Sequence, residues 1–156
     1  MPAAESAAGD TGNYATAGGG ELPEGLEIKR TGRTAMRFKG ISRIFSTVNE
    51  KQYETIGEFW DEMSGKYGLE NLRGLGYNWT GNSIEYVIGL KEGIIDQADC
   101  EVVLPDDGWE TVCGRTDDLG QIYSRIYADG GLAYEIETFT DAGNCMISFI
   151  RLRKER

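Results

Sequence analysis

Histidine is absent from the 156 residues. That excludes Ser-His-Asp and Cys-His catalysis, His-ligated zinc, and an imidazole acid or base near neutral pH. Any catalysis would rest on carboxylates, thiols or phenols. Cysteine is scarce. Cys100, Cys113 and Cys145 are odd in number, widely spaced and form no CxxC pair, which argues for free thiols in a reducing compartment rather than a disulfide framework. No apolar run approaches the ~18 residues of a membrane helix, and the N-terminus has neither a basic nor an apolar targeting region. The expectation is a soluble, cytoplasmic protein, in which the glycosylation sequon Asn78-Trp79-Thr80 is a chance match.

Positive charge is also in deficit. Sixteen Lys and Arg stand against 26 Asp and Glu, for a net charge of −10. Such a surface repels nucleic-acid phosphates and anionic lipid heads. It attracts cations over distances set by a Debye length of ~8 Å at physiological salt. Solubility alone is an equally adequate reason for the acidity. Arg151, Arg153, Lys154 and Arg156 form a basic cluster at the chain end, to which no function is assigned.

What is present is an ordinary globular balance, 40% hydrophobic and 27% charged, in a length suited to one domain. Residues 1–21 contain no Leu until the segment ends and no Ile, Val or Phe. With nothing to bury against the entropy of ordering, they read as a flexible tail. Residues 22–33 read as an approach segment, and the domain as 34–156. A strand is expected over Met36–Ser46, with a bulge at Gly40. Asn49 is expected to cap a helix over about 50–67, in which Tyr53, Ile56, Trp60, Met63 and Tyr67 form one apolar stripe. Two strands follow, Leu72–Thr80 and Ile84–Leu90. Next come an edge strand (Ala98–Leu104) and a short strand (Trp109–Gly114). A second helix, capped by Thr116 or Asp117, carries Leu119, Ile122 and Ile126 on one face, with Tyr123 and Tyr127 beside them. The strands Ala133–Thr140 and Cys145–Leu152 end the chain.

The order strand–helix–strand–strand thus occurs twice, a repeat of layout and not of sequence. The expected fold class is α+β, with two such units in pseudo-two-fold arrangement, an antiparallel sheet and both helices on one face. A pocket would then lie on the opposite sheet face or in the groove between the units.

In layout and in several residues the chain resembles the AraC effector-binding (GyrI-like) superfamily. That family includes ligand-binding domains of multidrug-responsive regulators and stand-alone proteins, some of them integron cassette proteins. Ile56-Gly57-Glu58-Phe59-Trp60 matches the family's first-helix pattern. Gly108-Trp109 matches its glycine–aromatic step, and Glu137-Thr138-Phe139, with Glu135 as a second candidate, its acidic penultimate strand. The resemblance spans about residues 35–152. Tyr127-Ala128-Asp129 replaces the family's Trp-Leu-Pro, which implies a smaller lip to the pocket. No helix-turn-helix precedes the domain, so the expectation is a free-standing effector-binding domain that does not read DNA.

By that resemblance Glu137 lies at the base of an aromatic-lined cavity for lipophilic cations. A buried carboxylate is driven towards protonation unless a positive partner compensates, and aromatic faces add cation–π attraction. The residues themselves also allow Glu137 to be a solvated charge on an edge strand. Glu135 shares its face, while Tyr134 and Ile136 share the other. Trp60 and Tyr53 on the helix stripe, and Tyr86 between Ile84 and Ile88, fit a plain core as well as a pocket. The expected walls are Trp79, Trp109, Tyr127, Phe139, Tyr86 and Trp60, around Glu137 and Glu135.

No cofactor or metal is expected. Gly74-Leu75-Gly76 lacks the third glycine of a dinucleotide loop, and the acidic turns at Asp106-Asp107 and Asp117-Asp118 do not match a calcium loop. Three functions compete. One is a binding module for a lipophilic, cationic aromatic molecule. Another is a hydrolase of reactive cyclopropanoid compounds, an activity known among GyrI-like proteins, with Glu137 as acid or base. The third is an acidic inhibitor of a protein partner. Monomer and homodimer both remain open.

Overall fold

The structure, a computed structural model, describes residues 22–23, 25–32 and 36–152. The tail over 1–21 and three of the four C-terminal basic residues lie outside them. Ten elements follow in order: β1 (Lys29–Arg30), β2 (Met36–Ser46), α1 (Gln52–Tyr67), β3 (Leu72–Tyr77), β4 (Ser83–Leu90), β5 (Cys100–Leu104), β6 (Glu110–Arg115), α2 (Leu119–Tyr127), β7 (Leu132–Phe139) and β8 (Asn144–Arg151). The strands form one antiparallel sheet in the order β1-β6-β8-β7-β3-β4-β2-β5. The fold is therefore α+β. β7 and β3, the third strands of the two halves, meet at its centre.

Both helices cover one face. Phe59, Trp60 and Met63 of α1 and Leu119, Ile122 and Ile126 of α2 pack with Leu72, Ile88, Ile147 and Phe149 of the strands. The spacing of these apolar positions puts them on the buried side of each helix. Arg43 of β2 clasps α1 from the side. Its guanidinium lies 4.1 Å from the Phe59 ring centroid and pairs with Glu62 at 2.9 Å.

The opposite face is not open either. Phe38, Leu104 and Trp109 are buried there against Leu75, Val87 and Ile136. The device is β2, which pairs with β5 through residues 36–40 and with β4 through 41–46. Gly40 therefore marks an exchange of partners where a bulge was expected. The backbones meet closely there. A Cβ on Gly40 would sit 2.3 Å from the Ile88 carbonyl oxygen, and one on Gly89 2.1 Å from that of Lys39.

Other expectations change at element ends. Asn49 does not cap α1. It adopts φ 56° in a 3-10 turn over Val48–Glu50, and the helix starts at Gln52 with no side-chain cap. Asn tolerates this left-handed conformation, so it turns the chain into the helix. Neither Thr116 nor Asp117 caps α2, which follows a second 3-10 turn over Thr116–Asp118. The segment read as an approach supplies β1, pairing Lys29 with Thr111 and Arg30 with Glu110, and packs Leu22, Leu26 and Ile28 on the core. Two residues are too few to show a strand period. All three cysteines are free. Among the described residues no helix is long and apolar enough to cross a membrane.

The close approach at Gly40 yields a test. Gly40→Ala should destabilise the fold by about 2 kcal/mol through overpacking against backbone, lowering Tm by roughly 6 °C. Gly81→Ala, where an added Cβ meets nothing within 4 Å, should leave Tm nearly unchanged in the same thermal scan.

Candidate functional site

Alternation along β7 sends Tyr134 and Ile136 to the far face and Glu135 and Glu137 towards the helices. β7 lies between β8 and β3, well inside the sheet, so Glu137 is not an edge-strand charge. Each glutamate is only 5% exposed. In the register, Gly74 of β3 lies beside Glu137, and Gly76 beside Glu135 on one side and Tyr86 on the other.

These two glycines make the floor. A Cβ on Gly74 would fall 2.2 Å from the Tyr86 hydroxyl and 2.8 Å from the Trp60 ring, and one on Gly76 3.5 Å from both Glu135 and Trp79. The Gly-Leu-Gly run thus serves side-chain room, while Leu75 between them points to the far cluster.

Above this floor, between α1 and α2, lies a narrow, partly open cleft. The cleft lies on the helix-covered face of the sheet, between the helices, and not on the opposite face. Tyr53 and Ile56 of α1 form one wall with Gln52, and Tyr123 and Tyr127 of α2 form the other. Trp79, in the loop that Asn78 turns at φ 51°, closes a third side with Ile84 and Tyr86 of β4.

Hydrogen bonds lock the base. Glu137 accepts from the Tyr86 hydroxyl on Oε1 and from the Tyr123 hydroxyl on Oε2, the latter at 2.5 Å. Trp60 Nε1 donates to the Tyr86 oxygen at 2.9 Å, which fixes that hydroxyl's remaining direction. Phe139 packs edge-on against Trp60, with centroids 5.0 Å apart. Glu135 accepts a longer bond, 3.3 Å, from Tyr127, whose ring stacks on Tyr123.

Of the residues expected to form the site, Glu135, Glu137, Tyr86, Trp79 and Tyr127 meet at the cleft. Trp60 and Phe139 do not line it. They stand behind Tyr86 as a second layer, because Gly74 lets Tyr86 lie across the strand in front of them. Trp109 is on the wrong side of the sheet: it is buried in the far cluster and donates from Nε1 to the Pro105 carbonyl at 2.8 Å. Tyr53, read as core, lines a wall. Tyr123 was missed as a site residue. Its signal was the i, i+4 pairing with Tyr127, which puts both phenols on one helix face. Gln52 and Ile56 carried none that singled them out.

Burial shapes the electrostatics. Removal from water, then the charge of Glu137, pushes the Glu135 carboxyl up to about 8. Burial also raises Glu137, but the hydroxyls of Tyr123 and Tyr86 oppose the rise. Glu135 accordingly holds a proton at neutral pH, while the two phenol donors favour the ionised form of Glu137. Burial drives the Tyr86 and Tyr123 phenols well above their usual range, so both stay donors. Among the described residues, none that lines the cleft is basic, and no metal-ligating group of three or more forms. The arrangement is an acidic, aromatic-walled recess without a counter-charge of its own.

No protein-family model matches the chain, and no curated protein does. Solved structures do. An integron cassette protein from the mobile metagenome of Vibrio cholerae aligns at TM-score 0.57 and 13% identity, over 83% of this chain and 97% of that one. SAV2435 bound to tetraphenylphosphonium aligns at TM-score 0.55 and 11% identity, over 80% of this chain and 92% of that one. A putative transcription regulation protein from Staphylococcus aureus MU50 aligns at TM-score 0.53 and 13% identity, over 83% and 97%. At such identities the likeness is one of fold: this chain shares an architecture with an integron cassette protein and with a protein solved around a lipophilic cation.

Proposed function

We propose that the protein is a cytoplasmic binding protein for lipophilic aromatic cations, held in the cleft between its two pseudo-two-fold units. One observation carries the reading: two carboxylates, each 5% exposed, sit among aromatic walls, and no described residue lining the recess is basic. A buried anion without a partner is costly. A cation that enters supplies the partner, and its apolar body covers the aromatic faces. The shared fold with SAV2435, solved with tetraphenylphosphonium, supports the same class of ligand. Cation–π contacts of ~0.5–2 kcal/mol each, added to apolar burial, bring ~8 kcal/mol and a micromolar Kd within reach.

Isothermal titration with tetraphenylphosphonium should give a Kd in the micromolar range, and Glu137→Gln should raise it tenfold or more. An unaltered Kd in that variant would remove Glu137 from the site.

Binding should also depend on pH, with a definite sign. The cation favours ionised Glu135, which is protonated below about 8. Affinity should therefore rise as pH rises from 6 to 9, with up to one proton released per ligand. Titrations in buffers of different ionisation enthalpy would count that proton. A flat profile would mean that the ligand does not meet Glu135.

Without ligand the same group works against the fold. Folded Glu135 titrates near 8 and an unfolded glutamate near ~4.3. Between these values the folded state binds more protons, so stability falls as pH rises through that window. Glu135→Gln should leave Tm close to wild type at pH 4 and raise it by about 3 °C or more at pH 8.

A further inference from the structure

One buried acceptor of the cleft has no donor, and this says what kind of cation suits it. The Tyr86 hydroxyl proton goes to Glu137. Tyr123 donates to Glu137 at 2.5 Å and also approaches Glu135. Glu135, which holds a proton at neutral pH, accepts the 3.3 Å bond from Tyr127 and keeps acceptor capacity beside its own proton. On the wall above, Gln52 lines the cleft from the first turn of α1, and its Oε1 is buried with no hydrogen-bond donor. A buried acceptor left in that state costs about 1–3 kcal/mol.

These groups differ in what they demand. A carboxylate attracts any cation. An amide carbonyl such as that of Gln52 has no net charge and rewards only a donor. A phosphonium or quaternary ammonium has none to give, so it would satisfy Glu137 and leave Gln52 as it was. A protonated primary or secondary amine carries three or two N–H bonds in addition to its charge, and an unsubstituted amidinium four. It is also the more strongly hydrated ion, and in a recess poor in acceptors that hydration would make it bind worse than its methylated counterpart. The order of affinities of the two kinds of cation therefore reports the acceptor content of the site.

We infer that the ligand class of this cleft is an aromatic cation bearing N–H donors, a protonated amine or amidine, with Gln52 and Glu135 taking the hydrogen bonds while Glu137 balances the charge. The inference rests on the cation reading of the site and narrows it. It also separates this chain from a simple copy of its structural neighbour's recorded ligand, tetraphenylphosphonium, which offers no donor.

The test uses a matched pair, 4-phenylbenzylammonium and its N,N,N-trimethyl counterpart, both cationic at pH 7 and built on the same apolar body. Isothermal titration of the wild-type protein should find the ammonium tighter by about tenfold. Gln52→Met should reduce that ratio to about threefold or less. Gln52→Glu, which keeps an acceptor, should preserve the preference. Equal affinities, or tighter binding of the trimethyl compound to wild type, would overturn the inference and leave the cation reading standing. A preference that persists undiminished in Gln52→Met would remove Gln52 from it. If neither compound binds, both the inference and the cation reading fall.

Discussion

Glu137 sits on a central strand of an eight-stranded sheet, beneath two helices, and two phenols hold its carboxylate. Much of the surrounding structure follows from keeping that anion there. Its neighbour Gly74 has no side chain because the Tyr86 hydroxyl must pass over that point to reach it. Trp60 is oriented by the same hydroxyl, and Phe139 by Trp60. The second helix contributes Tyr123 from a position one turn before Tyr127, so the face that packs the core also reaches the acid. Each of these groups is buried because the next one is. The chain of contacts ends at a charge that no basic residue of the cleft neutralises.

The architecture was largely legible in the residues because it depends on period and punctuation. The stripe from Tyr53 to Met63 and the alternation from Ile84 to Leu90 each have only one stable placement. Gly68 and the Gly81-Asn82 and Gly143-Asn144 turns separate them. Alternation in Tyr134-Glu135-Ile136-Glu137 also showed that the acids share a face. It could not show which face the helices would cover, since either side of a sheet can be core. That depends on β2 leaving β4 for β5 at Gly40, a long-range pairing with no local mark other than a break in pattern. Trp109 was misplaced for the same reason. Its position after a glycine turn suggested a pocket rim, yet the curled strands of the far side required a large apolar group there.

The site itself was half visible. Carboxylates in a strand stand out from their apolar neighbours, and so do aromatics near element ends. What periodicity cannot resolve is depth. Trp60, Tyr86 and Tyr53 all lie on faces that point inward. Only the absence of a side chain at Gly74 decides that Tyr86 comes forward and Trp60 stays behind it. Gln52 is harder still, because a polar residue in the first turn of a helix looks like any solvated one. Its importance lies in a donor that it lacks, and a sequence does not record missing partners.

The double coverage of the sheet has a mechanical side. Phe38, Leu104 and Trp109 seal the underside of the same strands that carry Glu135, Glu137 and Tyr86. The floor is thereby clamped between two packed layers, and a guest cannot press it downward. Trp79 hangs from a loop, and Tyr127, 36% exposed, ends a nine-residue helix. Under the proposed binding function, accommodation of different molecular shapes would fall to these rim groups, while the acidic floor stays put. A rigid charge sensor under an adaptable aromatic roof would recognise a chemical class by its charge and leave the outline of the molecule free to vary.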